Sequence, residues 1–312
     1  MRKPILAFLL VLIGATIVHG GSYTDQAIKC FDSGDYDCAI KVGLKAIERE
    51  GSFAAYFITG RAYYEMGEPN KALMYLEKVK ELAQDQVEFG AVYNMLGQSY
   101  GDIGNSDKAL YCLSQHLKIA RKLNDKVVIA TSLNNIAVIF RDKGDLDKAL
   151  EYYKESLEYW PTDDLSGLGT IYNNIATVYG YKQDYTNAIA YFKKAINYSQ
   201  KGGNYIGVGS IKINLGHTYR EVKNYQDAKK ELLEGLKMVQ IAGNKYGEGH
   251  GHFYLAKLYL DLGQYKTAKD HCLKAIGIFK GIELQQRVND SVVLLSEIGK
   301  KLKASKKGKQ GQ

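Results

Sequence analysis

Apolar and small residues recur along this chain at helical spacing. Leu133, Ile136, Ala137 and Phe140 stand at i, i+3, i+4 and i+7, one face of an α-helix. Tyr172, Ile175, Ala176 and Tyr179 repeat that pattern 39 residues later. The alanines Ala39, Ala72, Ala109, Ala149, Ala188, Ala228 and Ala268 follow one another at gaps of 33, 37, 40, 39, 40 and 40 residues. A period of that size marks a repeat array. Twelve residues before each alanine stands a small residue: Ala27, Gly60, Gly97, Ala137, Ala176, Gly216 or Ala256. Three residues further on comes Cys30, Tyr63, Tyr100, Phe140, Tyr179, Tyr219 or Tyr259. Gly34, Gly67, Gly104, Gly144 and Gly263 fill one matching position between the two halves, where Gln183 and Lys223 depart. Each repeat therefore reads as a helical hairpin. The small residues let two helices approach, the aromatic fills the space beside them, and glycine accepts the tight turn.

Seven such units lie near residues 22–52, 53–88, 89–128, 129–167, 168–207, 208–247 and 248–281. Pro161 stands where the fourth should stop. Leu284, Val288, Val292, Leu295, Ile298 and Leu302 then mark an amphipathic helix over 282–302, expected to cap the last hairpin. The lysine-rich segment 303–312 reads as a disordered basic tail.

The motif resembles the tetratricopeptide repeat, whose hallmark is a small residue, an aromatic, a turn glycine and two alanines in one hairpin. The longer spacing is similar to the subclass found in kinesin light chains, as is Leu133-Asn134-Asn135-Ile136-Ala137-Val138-Ile139-Phe140. The resemblance implies an all-α, right-handed superhelical solenoid of about seven hairpins. It also implies a non-catalytic scaffold whose concave face, lined by the first helix of each hairpin, binds an extended peptide of a partner protein.

On those first helices, the stripe opposite the packing face carries Asn94 and Gln98, then Asn134, Asn135 and Arg141, then Asn173, Asn174 and Thr177. It continues with Asn214, His217 and Arg220, and then His250 and Lys257, and Arg61 extends it backward. Asparagine is a mediocre helix former, so its recurrence asks for a reason. An amide offers two donors and an acceptor, which suits the backbone of an extended peptide. It suits equally a bond to the neighbouring helix that stiffens the stack. The mostly neutral amides argue against a lysine- and arginine-based grip on a terminal carboxylate.

Charge narrows the partner class. The formal net charge is +8. The segment before Ser22 accounts for +2 of it and the lysines from Lys300 onward for +6, so the repeats are neutral. That is no nucleic-acid footprint. Membrane contact is expected only through the first segment or the lysine tail. Arg2-Lys3, the apolar run Ile5–Val18 and the small residues around Gly20 read as a secretory signal over 1–20, or alternatively as an uncleaved anchor. Either places the repeats in the periplasm or outside the cell, where Cys30 and Cys38 on opposite arms of the first hairpin can pair.

Chemistry is sparse. The six histidines form no H-E-x-x-H spacing, and no C-x-x-C, Walker loop or nucleophile elbow occurs. No cofactor is expected. A metal bound by His250 and His271 depends on geometry the sequence does not hold. Gly247, Gly249 and Gly251 alternate in the seventh unit. They suggest a flexible joint, and with it a second function: a peptide- or metabolite-responsive sensor that changes superhelical pitch.

Overall fold

The computed structural model describes residues 22–310, with side chains through 305. The segment read as a secretory signal lies outside them. Fifteen helices fill the described residues. They are α1 (Tyr23–Asp32), α2 (Tyr36–Arg49), α3 (Phe53–Glu65), α4 (Pro69–Leu82), α5 (Gln86–Asp102), α6 (Ser106–Leu123), α7 (Lys126–Asp142), α8 (Leu146–Tyr159), α9 (Leu165–Tyr181) and α10 (Tyr185–Lys201). After them come α11 (Tyr205–Glu221), α12 (Tyr225–Ile241), α13 (Lys245–Asp261), α14 (Tyr265–Gly281) and α15 (Gln285–Gln310). Each odd helix pairs with the even helix that follows, which makes seven hairpins and a final α15. The chain divides into two compact units, Met1–Pro161 and Thr162–Gln312.

Turn chemistry separates the helices. Asp35, Asn105, Asp145, Asp184 and Asn224 cap the second helix of their hairpins, each accepting a bond from a backbone N–H of the first turn. This satisfies amides that the helix itself leaves unpaired. The residue before each turn must enter the left-handed region. Gly144 does so with φ 82°, and Gln183 and Lys223 adopt φ 59° and 60° at the matching position. The glycine departures thus keep the turn. Asp164 caps α9 through Gly167 N at 2.9 Å.

In the first unit, Ala27, Phe31, Ala39 and Ala62 bury between the first two hairpins. Leu76, Leu96, Leu113 and Leu133 continue the core as fully buried side chains. Gly97 marks a close crossing, since a Cβ there would lie 2.6 Å from Leu113 Cγ. The Cys30 and Cys38 sulfurs are joined in a disulfide between α1 and α2.

In the second unit, Ile175, Leu232, Leu255 and Phe279 are buried. Here α15 packs on α14 through Val288, Ser291, Leu294 and Ile298. Val292, expected on that face, is exposed. The structure corrects the tail as well, because α15 runs unbroken to Gln310 where disorder was expected from Lys303. Lysine and alanine are good helix formers, and a helix already nucleated on a packed face extends at low cost. The glycine-rich joint is also corrected. Gly247, Gly249 and Gly251 lie buried within continuous α13, and a Cβ on Gly249 would meet Phe279 Cε1 at 2.6 Å. These glycines serve close packing rather than bending.

Candidate interaction surface

The sequence-derived residues lie on the first helices of the hairpins, in two blocks, one in each unit. In the first unit, Asn94 and Gln98 lie on α5 and Asn134, Asn135 and Arg141 on α7, all half-buried. Asn135 donates from Nδ2 to Asn94 Oδ1 at 3.1 Å, and Asn134 Nδ2 donates to Asn135 Oδ1 at 3.2 Å. An amide two residues before the small residue of one hairpin thus reaches an amide three residues before it in the preceding hairpin. Gln98 has no hydrogen-bond partner within the described residues, and Asn94 keeps its own amide donors uncommitted. Arg141 donates to the carboxylate of its neighbour Asp142 at 2.8 Å.

The second unit repeats the amide bond, with Asn214 Nδ2 donating to Asn173 Oδ1 at 3.5 Å. Asn174 is half-buried beside Asn173. Thr177 is turned back on its own helix, its hydroxyl donating to Asn173 O at 2.9 Å, so it adds little to a ligand surface. Beyond Asn214 the chemistry changes from amides to rings and charges. His217 stacks on Tyr254 with centroids 4.2 Å apart and planes at 9°. Burial, with Lys257 and Arg220 nearby, holds its imidazole down to about 3, so the ring is neutral at physiological pH. Arg220 joins α11 to α13 by contacting Glu221 and Asp261, each at 2.7 Å. The Lys257 ammonium lies 5.3 Å over the Phe253 ring, a cation–π contact. Arg61 sits 4.4 Å over Phe31 and belongs to the packing of the first hairpins. His250 lies between Tyr246 and Phe279 rather than beside His271, which pairs with His252 instead. The proposed partnership of His250 with His271 therefore does not form.

Tyr254 and Asp261 were missed in the sequence. Tyr254 stands two residues before the small residue of its hairpin, where the three preceding hairpins carry Asn135, Asn174 and Asn214. Its signal was a break in the asparagine register. Asp261 carried no signal, because an ion pair between hairpins depends on how they stack.

Tetratricopeptide repeat models match residues 54–84, 88–161, 167–241 and 252–280. The chain belongs to the tetratricopeptide repeat family. Among solved structures it is similar to the chain in the Cut9–Hcn1 hetero-tetramer of the APC/C, with 18% identity and a TM-score of 0.65, covering 92% of this chain and 52% of that one. A signal-transduction ATPase with a tetratricopeptide repeat sensor, from Pyrococcus horikoshii, is 23% identical with a TM-score of 0.64, over 86% of this chain and 44% of that one. This tetratricopeptide repeat protein thus spans about half the length of either. A Rap protein complexed with Competence and Sporulation Factor is 17% identical, with a TM-score of 0.63 over 85% of this chain and 81% of that one. Likeness at these identities establishes the fold. Comparison with curated proteins finds no match.

Proposed function

We propose that this tetratricopeptide repeat protein is a non-catalytic scaffold that binds an extended segment of a partner protein on the amide-bearing faces of its first helices. One observation carries the reading: within each unit amides recur on the first helices of consecutive hairpins, with uncommitted donors on Asn94 and an uncommitted side chain on Gln98. An extended peptide has backbone donors and acceptors that such amides complement, at about 1 kcal/mol net per bond. The Asn135–Asn94 and Asn214–Asn173 bonds stiffen the face, which lowers the ordering cost of binding. The solved Rap protein carries a bound factor, which agrees with ligand binding on this fold. The sensor reading loses its hinge, because Gly249 is packed against Phe279.

The scaffold works outside the cytoplasm in this proposal. The apolar run Ile5–Val18 after Arg2-Lys3 supports export, and the Cys30–Cys38 disulfide suits an oxidising compartment. Among the described residues no helix is long and apolar enough to cross a membrane.

Capture experiments with envelope or culture extract test the proposal. Gln98→Ala combined with Lys257→Ala is expected to lose the captured partner while destabilising the fold by no more than the lost Lys257–Phe253 contact, about 0.5–1 kcal/mol. Asn135→Ala combined with Asn214→Ala should also lower the melting midpoint, because those amides hold helices together. Full capture by the Gln98→Ala/Lys257→Ala protein refutes this surface.

A further inference from the structure

A pair of imidazoles joins the two helices of the seventh hairpin. His252 of α13 and His271 of α14 face each other with their Nδ1 atoms 2.9 Å apart. The contact occupies a defined slot: the residue four before the small residue of the first helix meets the residue three after the alanine of the second. In the fifth hairpin that slot holds Tyr172 and Tyr191, with ring centroids 6.1 Å apart. In the sixth it holds the ion pair Lys212–Glu231 at 2.7 Å. Rings pack, and opposite charges attract. Two imidazoles do neither as well, yet they are aligned nitrogen to nitrogen rather than face to face, with ring planes at 43°.

We infer that His252 and His271 form a two-imidazole site for a borderline divalent transition metal, Zn2+ or Cu2+, that clips α13 to α14. Neutral imidazole is the commonest protein ligand for these ions. The two Nδ1 atoms already face each other, and metal–nitrogen bonds of about 2.0–2.1 Å need only that the rings turn and part slightly from this head-on contact. Without metal, one Nδ1 carries a proton and donates it to the other. Metal binding moves that proton to Nε2 of the same ring, so two Nδ1–metal bonds form and no net proton is released. Burial favours the uncharged, ligating form of both rings. Tyr259 stacks on His271 with centroids 5.4 Å apart and fixes its plane, as supporting contacts do at metal sites. Among the described residues no three His, Cys, Asp or Glu side chains are grouped to hold a metal, so water completes the coordination. Glu248, one turn before His252, is engaged by Lys245 at 2.8 Å and Gln240 at 3.1 Å.

Calorimetric titration of the tag-free, full-length chain with ZnCl2, and separately with CuSO4, tests the site. One equivalent is expected to bind the unaltered protein. His271→Gln and His271→Tyr should each weaken binding by roughly tenfold or more, whereas His250→Gln should leave it unchanged. The tyrosine variant provides a ring for the slot, as in the fifth hairpin, and so guards against loss of fold. Metal should also raise the melting midpoint of the unaltered chain and of neither His271 variant. Uptake that is equal in both His271 variants, or absent from the unaltered chain, overturns the site.

Discussion

At the scale of single residues, the repeat motif tolerates chemistry that its register alone would not suggest. His116 stands where other hairpins carry Ala46, Val79 or Ala195. It is buried, with Nδ1 2.9 Å from Ser132 Oγ, and burial pushes its pKa from 6.5 down to about 4. A folded-state pKa below the unfolded value means that the unfolded chain takes up the extra proton first. This residue's contribution is therefore complete above about pH 6.5 and declines as pH falls toward 4, by about 3 kcal/mol in all. Replacing His116 by valine should flatten the slope of stability against pH in that window, as read from urea unfolding at stepped pH. An unchanged slope would show that the imidazole is not the group responsible. Lys223 and Gln183 make a related point, since a left-handed backbone is held there by the Asn224 and Asp184 caps that follow.

At the scale of the hairpin, one position pair is filled by two kinds of bond. Tyr63, Tyr100 and Phe140 are each covered by the lysine eight residues later, with Lys71 at 5.4 Å, Lys108 at 4.9 Å and Lys148 at 5.2 Å from the ring centroid. Cys30 and Cys38 occupy the same two positions, also eight apart, and are joined covalently. In the second unit, Tyr219 and Tyr259 are approached by Lys193 at 5.9 Å and Lys229 at 5.8 Å instead. The disulfide thus replaces a cation–π contact in the terminal hairpin, where α1 spans only 10 residues. Cys30→Ser with Cys38→Ser should destabilise α1 and α2 by about 2–3 kcal/mol. Cys30→Tyr with Cys38→Lys should recover about 0.5–1 kcal/mol of that. Hydrogen exchange of the first hairpin measures both, and equal exchange in the two double variants would dismiss the equivalence.

At the scale of the whole molecule, every substantial contact joins a helix to its next or next-but-one neighbour. Stability in such an array is a sum of hairpins and their immediate interfaces. A lesion in one hairpin should therefore stay local. Gly249→Ala places a Cβ against the Phe279 ring, an overpacking that costs about 1–3 kcal/mol. Amide exchange is expected to quicken in α13 and α14 while α3 to α6 keep their protection. A slower, more stable α13 would instead revive the idea of a glycine hinge, since alanine stiffens a helix.

The sequence by itself determined the hairpins. Apolar spacing, the alanine register and the turn glycines are local, and local signals specify helices and turns whatever lies beside them. It also told which residues of one helix share a face with each asparagine, because helical geometry sets that spacing. Only the tertiary structure decided what those side chains touch. Asn135 bonding to Asn94, Arg220 bridging to Asp261, His252 meeting His271 rather than His250 meeting it, and Gly249 packing on Phe279 all depend on the rotation and offset of one helix against another. That offset comes from the summed packing of many side chains, and no single stretch of sequence carries it.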